Sequence, residues 1–324
     1  MSTRYVQPLR ILIQYGFLSF MIWLGFSFYQ FINFVRIGVE QHQVIRPDGV
    51  DGFLPISGLL GTASWIKGNG INSVHPAAMI VFLTVIIVSL LLRRSFCSWI
   101  CPVATISELS WKCGFGLLHR SWRLPVWFDI ALRSLKYILM AFFIYSVVFA
   151  MSAEALSDFI LSDYHMIADV RLLNFFLNMS PLALGVLLTL AAFSFVSRNP
   201  FCRYICPYGA LLGLLALLSP LRVNRSRDRC VSCGICNQVC PAYIDVMHKK
   251  DIVSPECIAC WRCISHCRFN ESLSMRVVRR FKISGFIFAV LVVMLFIGGV
   301  MIGKLSGHWH SSVSYKEYVR LLGK

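Results

Sequence analysis

Acidic side chains are scarce in this sequence. Only 15 Asp and Glu stand against 31 Lys and Arg, and charged residues make up 14% of the 324-residue chain. A soluble domain carries about 25%, so the shortage argues against an ordinary water-soluble globule and for a membrane protein. The basic excess could serve nucleic acid, acidic partners or anionic lipid. Its position beside long apolar runs fits the Lys and Arg of cytoplasmic loops, and no nucleic-acid partner is expected. Histidine is missing from those runs: His42, His75, His119, His165, His248, His266, His308 and His310 all lie outside them. A bis-histidine haem buried in the bilayer is therefore not expected. There is no C-x2-C followed by His for covalent haem. A radical-SAM C-x3-C-x2-C is also absent, because its third position holds Ala104 or Gly209.

The apolar runs themselves are long. Crossing a bilayer takes about 20 residues, and five stretches read as spans: Leu9 to Val35, Pro76 to Leu92, Ala131 to Ser152, Leu172 to Val196, and Ile283 to Gly303. The first is too long for a signal peptide and lacks a small-residue cleavage site, so it reads as an anchor. Arg93, Arg94, Lys112, Arg120, Arg123, Arg133 and Lys136 gather around the connection between the second and third stretches. Arg198, Arg203, Arg222, Arg225, Arg227 and Arg229 follow the fourth. Both regions are expected on the cytoplasmic side. The acidic stretch Glu154, Asp158, Asp163 and Asp169 is expected outside. The expected protein sits in a bacterial inner membrane, with its N-terminus inside and its C-terminus outside. The expected domains are residues 1–221 in the membrane, 222–281 as a cytoplasmic module, and 282–324 as a fifth span with a short outer tail.

Thirteen cysteines in a chain that is not a small disulfide-stapled scaffold need another cause. Twelve fall in patterned groups, and Cys113 alone reads as an inert structural thiol. Cys230-x2-Cys233-x2-Cys236-x3-Cys240-Pro241 is the bacterial ferredoxin run, and Cys257-x2-Cys260-x2-Cys263-x3-Cys267 repeats it with Arg268 in place of the proline. Three close cysteines wrap one face of a [4Fe–4S] cube, and in two-cluster ferredoxins the fourth comes from the other run. One cluster is therefore assigned to Cys230, Cys233, Cys236 and Cys267, and the other to Cys257, Cys260, Cys263 and Cys240. Zinc also uses paired C-x2-C, but it needs only four ligands per ion. The fold class expected is an all-α multi-pass membrane protein with an inserted α+β two-cluster ferredoxin module.

A second repeat is shorter. Phe96-Cys97-Ser98-Trp99-Ile100-Cys101-Pro102 recurs as Phe201-Cys202-Arg203-Tyr204-Ile205-Cys206-Pro207. Cysteines spaced i, i+4 share one face of a helix, so Cys97, Cys101, Cys202 and Cys206 could converge. They could hold a third iron–sulfur centre, form a redox-active dithiol, or simply pack as small apolar side chains. Candidates for a quinone site are His75, Glu154, Asp158 and His165, where a carboxylate or imidazole near the interface could take a quinol proton. The competing reading is that each is a solvated loop residue. The stretch from Arg46 to Val74 reads as partly inserted, and Tyr208 to Leu218 as a re-entrant or surface helix.

The doubled Phe-Cys-x2-Ile-Cys-Pro frame, the apolar spans and the cassette together resemble the NapH/NosR/FixG group of membrane polyferredoxins, over about Pro76 to Arg280. The resemblance implies electron transfer between the quinone pool and a partner redox protein of a respiratory chain, with other subunits and membrane lipid as neighbours. The large outer domains of NosR-like and FixG-like members are not seen here, and the fifth span departs from NapH-like ones. The chain therefore looks like a separate NapH-like branch. Two rivals remain in view: a FixG-like factor that reduces a metal during oxidase maturation, and a membrane redox sensor.

Overall fold

The computed structural model describes residues 5–38, 45–119, 121–122, 124–269, 271–278 and 280–323. His42, Arg120 and Arg123 lie outside these. In chain order the elements are α1 (Val6–Ile37), α2 (Pro55–Ile66), α3 (Pro76–Leu92), α4 (Ser95–Trp99), α5 (Pro102–Leu118), α6 (Val126–Ile144), α7 (Ala153–Ile160), α8 (Asp163–Met166), α9 (Ala168–Leu177), α10 (Pro181–Val196) and α11 (Pro207–Leu215). There follow β1 (Leu221–Arg225), α12 (Ile235–Gln238), β2 (Asp251–Ile252), α13 (Arg262–Ser265), β3 (Leu273–Val277), β4 (Phe281–Ile283), α14 (Gly285–Leu305) and α15 (Tyr315–Leu322). Proline opens α2, α3, α5, α10 and α11, the one helical position where its missing N–H and fixed φ cost nothing. Ser152, Ser162 and Ser314 cap α7, α8 and α15, each accepting a backbone N–H through its hydroxyl.

Among the described residues three helices are long and apolar enough to cross a membrane: Val6–Ile37, Val126–Ala150 and Gly285–Leu305. The second includes a wider terminal turn at Tyr145–Ala150. The span expected from Leu172 to Val196 is broken, because α9 and α10 meet at 78°. The cause is Pro181, which lacks an N–H and biases Ser180 away from the helical region. Counted as one crossing, that pair raises the number to four. The expected second span coincides with α3, which has only 17 residues. Five whole spans are thus not reached by length and composition.

The chain forms two compact units. The first comprises Met1–Leu18, Val85–Met140 and Leu187–Phe296. It contains an antiparallel sheet in the order β2-β1-β3-β4, with Val223 paired to both Ile252 and Met275. Val223, Ile252 and Met275 are buried. Trp99 and Trp261 pack their rings 5.5 and 5.6 Å from Phe288 of α14. A Cβ on Gly114 would lie 2.1 Å from the Phe195 carbonyl oxygen, so only glycine lets α5 approach α10 there.

This unit corrects the sequence reading of its basic residues. Several expected as loop charges are interior fasteners. Arg93 donates to the carbonyls of Leu221, Ile252 and Ser254 at 3.2, 3.1 and 2.8 Å. Lys136, inside α6, is wholly buried and meets Glu256 at 2.6 Å. Arg203 donates twice to Asp129 at 2.8 Å. The physical reason is that a cation taken out of water must be paired, and each of these has found a carboxylate or a set of carbonyls.

The second unit comprises Ser19–Thr84, Ala141–Val186 and Ile297–Lys324. Its core joins Leu24, Phe28, Phe31 and Ile32 of α1 to Tyr318 of α15, with the Phe31 and Tyr318 rings 5.6 Å apart. Burying side chains of this size contributes about 1.5–3 kcal/mol each. The stretch expected to be partly inserted forms α2, buried along one side through Ser57, Leu60, Ala63 and Ser64.

Candidate iron–sulfur site

Two ferredoxin runs lie in the first unit, and their backbones repeat. Ser232 and Gly234 have φ of 55° and 75°, and Ala259 and Trp261 have φ of 48° and 61°. These are the second and fourth positions after the leading cysteine in each run. Left-handed backbone on a serine, an alanine and above all a tryptophan costs on the order of 1–3 kcal/mol each, and such strain clusters at functional sites. Alternating the hand of successive residues turns backbone N–H groups into a concave nest that suits an anionic iron–sulfur group. The short helices α12 and α13 start directly after these turns and carry Cys236 and Cys263.

The thiols gather in two sets. Cys230, Cys233, Cys236 and Cys267 line one cavity. Cys240, Cys257, Cys260 and Cys263 line another. In each set the fourth cysteine comes from the other run. Among the described residues no three His, Cys, Asp or Glu close on a single metal ion. Four thiols at each cavity are the donor set that a [4Fe–4S] cluster needs. The two sets differ in depth: the first has Cys233 exposed and Cys236 buried, whereas the second has Cys240 and Cys260 buried and no exposed thiol. A hydrogen bond from Arg225 lowers the Cys230 thiol below its ordinary value. Burial, and then the neighbouring Cys260, pushes Cys240 up to about 12.

Cations stand close to the second set. Arg10 donates to Glu108 at 2.8 and 3.0 Å, and Arg262 reaches the same carboxylate at 2.5 Å. Both arginines act electrostatically on Cys260. Burial raises Glu108, but Arg10 and Arg262 outweigh it and hold the carboxyl well below the usual range. Helical-segment side chains also bind the second run directly: Ser98 Oγ donates to Ile258 O at 2.5 Å, Trp99 Nε1 to Ala259 O at 3.2 Å, and Gln7 Nε2 to Cys260 O at 3.0 Å.

The four remaining patterned cysteines converge, though not along helix faces as the spacing suggested. Cys97 sits in α4, whereas Cys101 is extended at the start of α5. Cys202 lies in the turn Phe201–Ile205, and Cys206 is extended at the start of α11. The prolines at 102 and 207 are the cause, since the residue before proline is pushed out of the helical region. The Cys206 sulfur accepts from Gly209 N at 3.2 Å. Burial, then the charge of Cys97, pushes Cys101 up to about 12, and Cys101, Cys206 and Cys97 all act on Cys202. Arg94 faces Cys97 and Cys206. Cys113 is exposed.

The candidate quinone residues divide. His75 and His165, in the second unit, have ring centroids 4.9 Å apart and are both buried. Glu154 and Asp158 stand exposed on α7. Sequence reasoning missed the groups that hold the histidines. His75 Nδ1 donates to Asp51 at 2.9 Å and Nε2 to the His165 carbonyl at 2.8 Å. Both neighbours are acceptors, so His75 is an imidazolium. Burial opposes that charge, but Asp51 outweighs it and raises the group above its ordinary value. Burial and then His75 lower His165 to about 4. Arg46 bridges Asp51 and Asp169, and Tyr318 donates to Asp169 at 2.8 Å. No local pattern links residues 46, 51, 75, 165, 169 and 318.

Comparison with known proteins matches both groups of patterned cysteines. A 4Fe-4S binding domain model matches residues 74–125 and 179–226, one copy on each Cys-Pro frame. A 4Fe-4S dicluster domain model matches residues 222–268. YccM of Escherichia coli, a protein named for electron transport, is 35% identical over 311 residues, 94% of this chain and 87% of that protein. The ferredoxin-type protein NapH of Escherichia coli is 30% identical over 187 residues, 54% of this chain and 59% of that protein. The methylamine utilization ferredoxin-type protein MauN of Paracoccus denitrificans is 46% identical over 57 residues, 17% of this chain and 20% of that protein. No solved structure matches.

Proposed function

The chain belongs to the NapH-like family of ferredoxin-type electron transport proteins, and on that premise we propose that it passes electrons between the quinone pool and a partner redox protein. In this reading Cys230, Cys233, Cys236 and Cys267 hold one [4Fe–4S] cluster, and Cys240, Cys257, Cys260 and Cys263 hold the other. Each cluster, when bound, takes up and gives back single electrons. The observation that carries the reading is the sorting of eight thiols into two cavities, each closed by the other run's fourth cysteine.

The chain's own residues have distinct tasks. The strained turns at 232–234 and 259–261 would present backbone N–H groups to the clusters. Arg225, Arg10 and Arg262 offset thiolate charge beside the cavities. The bonds from Ser98, Trp99 and Gln7 fix the second run against the helical segments. Cys97, Cys101, Cys202 and Cys206 are proposed to hold a third iron–sulfur centre. Their mutual proximity under Arg94 and the 4Fe-4S domain match over both frames support this over two merely packed pairs. The buried histidine pair is the candidate for exchanging quinol protons, while Glu154 and Asp158 stand exposed on α7 and fall outside the proposal. Five crossings, with α3 and the bent α9–α10 pair counted among them, would place the cysteines on the cytoplasmic side of the inner membrane.

Anaerobic iron and acid-labile sulfide analysis tests the cluster assignment. About twelve irons per chain are expected, and about eight would remove the third centre while leaving the two clusters. About one zinc per four cysteines with no sulfide would overturn the reading.

A further inference from the structure

The two ferredoxin thiol sets face different surroundings. The second is the deeper of the two. Cys240 and Cys260 are buried, and its loop carbonyls at 258, 259 and 260 are taken by Ser98, Trp99 and Gln7. The first opens to the surface. Cys233 is exposed, and the neighbouring Val231 is 57% exposed. An outside protein can therefore approach the first set more closely, at Cys233.

The exposed charge on the segments beside that opening is mostly basic. Arg227, Lys249, Lys250 and Arg268 are exposed. Arg227 lies three residues before Cys230, and Arg268 directly follows Cys267. Lys249 and Lys250 are held there because Arg225, which bonds the Cys230 thiol, donates to the Lys249 carbonyl and pairs its own N–H with Lys250 O at 2.8 Å. The exposed acids on these segments are Asp228, Asp245 and Glu271. Two are already engaged, Asp245 by His248 at 2.8 Å and Glu271 by Arg229 and Lys282. The result is an apolar, thiol-bearing centre inside a basic rim, the layout of a protein interface with a polar edge.

We propose that this face, centred on Val231 and Cys233 and rimmed by Arg227, Lys249, Lys250 and Arg268, is the docking surface for a soluble acidic redox protein. The proposal rests on the electron-transfer reading above and adds to it where the partner lands and what charge it bears. Complementary charge steers encounter and is screened by salt. An anionic bilayer would also favour the basic rim, but it would give no reason for an exposed cluster thiol at its centre.

The test uses the full-length holoprotein in neutral phosphatidylcholine nanodiscs, with a small acidic flavodoxin as probe. Its Kd is measured at low and high salt. Carbodiimide cross-links are mapped in the same samples. Binding that weakens with salt, with cross-links through Lys249 or Lys250, is expected. The combined variant R227E/K249E/K250E/R268E should weaken Kd about tenfold or more, and should gain affinity for a basic cytochrome c. An unchanged Kd would overturn the docking face, as would an effect confined to binding of anionic vesicles. Should that variant fail to assemble, the wild-type cross-links decide, and cross-links confined to other lysines would overturn the proposal. Iron content and dithionite reduction, read on the same samples, report the electron-transfer reading separately.

Discussion

Buried charge is arranged oppositely in the two units. In the first, each buried carboxylate is surrounded by bases: Glu108 by Arg10, Lys112 and Arg262, Asp129 by Arg133 and Arg203, and Glu256 by Lys136 and Arg94. In the second, one base is shared by two carboxylates, Arg46 lying between Asp51 and Asp169, with His75 as the second cation. The second network is thus balanced, whereas the first has cations to spare. The spare charge is turned toward thiols: Arg94 toward Cys97 and Cys206, Arg10 and Arg262 toward Cys260, and Arg225 toward Cys230. The difference teaches where part of the +16 net charge belongs. It stands beside thiols, where it would offset the charge of the clusters they are proposed to hold.

The largest effect expected is on metal content. Cys260→Ala should remove about four irons per chain, read by iron analysis, because a buried thiol has no replacement nearby. Glu256→Gln should come next. It leaves Lys136 buried inside α6 without its counter-charge, at a cost of about 3–5 kcal/mol, read as a lower midpoint of thermal unfolding in detergent. A tolerated Glu256→Gln would mean that Lys136 needs no carboxylate, which would break the contrast drawn here.

The second unit should respond to pH instead. His75 is raised in the fold, so its stabilisation is complete below about pH 6.5 and is lost as pH rises through the raised value. His165 is lowered to about 4. The unfolded chain therefore binds its proton first, and stability falls as pH drops from about 6.5 toward 4. Protection of residues 46–75 and 160–170 against hydrogen exchange should peak near pH 6.5. His75→Gln should flatten the alkaline side and His165→Gln the acid side. A profile flat in wild type would contradict the imidazolium assignment.

Smaller effects sharpen the packing side of the comparison. Gly114→Ala drives a methyl group into the Phe195 carbonyl and should cost about 1–3 kcal/mol, visible in the same unfolding midpoint. Arg229→Ala should cost under about 1 kcal/mol, since both it and Glu271 are more than half exposed. A larger loss there would show that surface pairs matter more in the first unit than its buried ones suggest.

The parts of the site legible in the sequence were those with a short local pattern. The eight ferredoxin cysteines and the two Cys-Pro frames declare themselves by spacing, and α1 and α14 by unbroken apolar length. Other features depended on long-range partners. Lys136 and Arg93 look like loop charges until Glu256 and the carbonyls of Leu221, Ile252 and Ser254 are brought to them. Arg46, Asp51, His75, Asp169 and Tyr318 come from separate segments and share no motif. The bend between α9 and α10 and the extended Cys101 and Cys206 carried a signal that periodicity overrode. In each case a proline follows, and proline acts on the residue before it.

The most direct test of electron transfer from the membrane is made anaerobically on the purified protein. A reduced menaquinone analogue is added while absorbance near about 400 nm and the EPR spectrum are followed. The account predicts bleaching together with new iron–sulfur EPR signals. An unchanged spectrum, in a sample whose clusters dithionite does reduce, would contradict the claim that quinol feeds them.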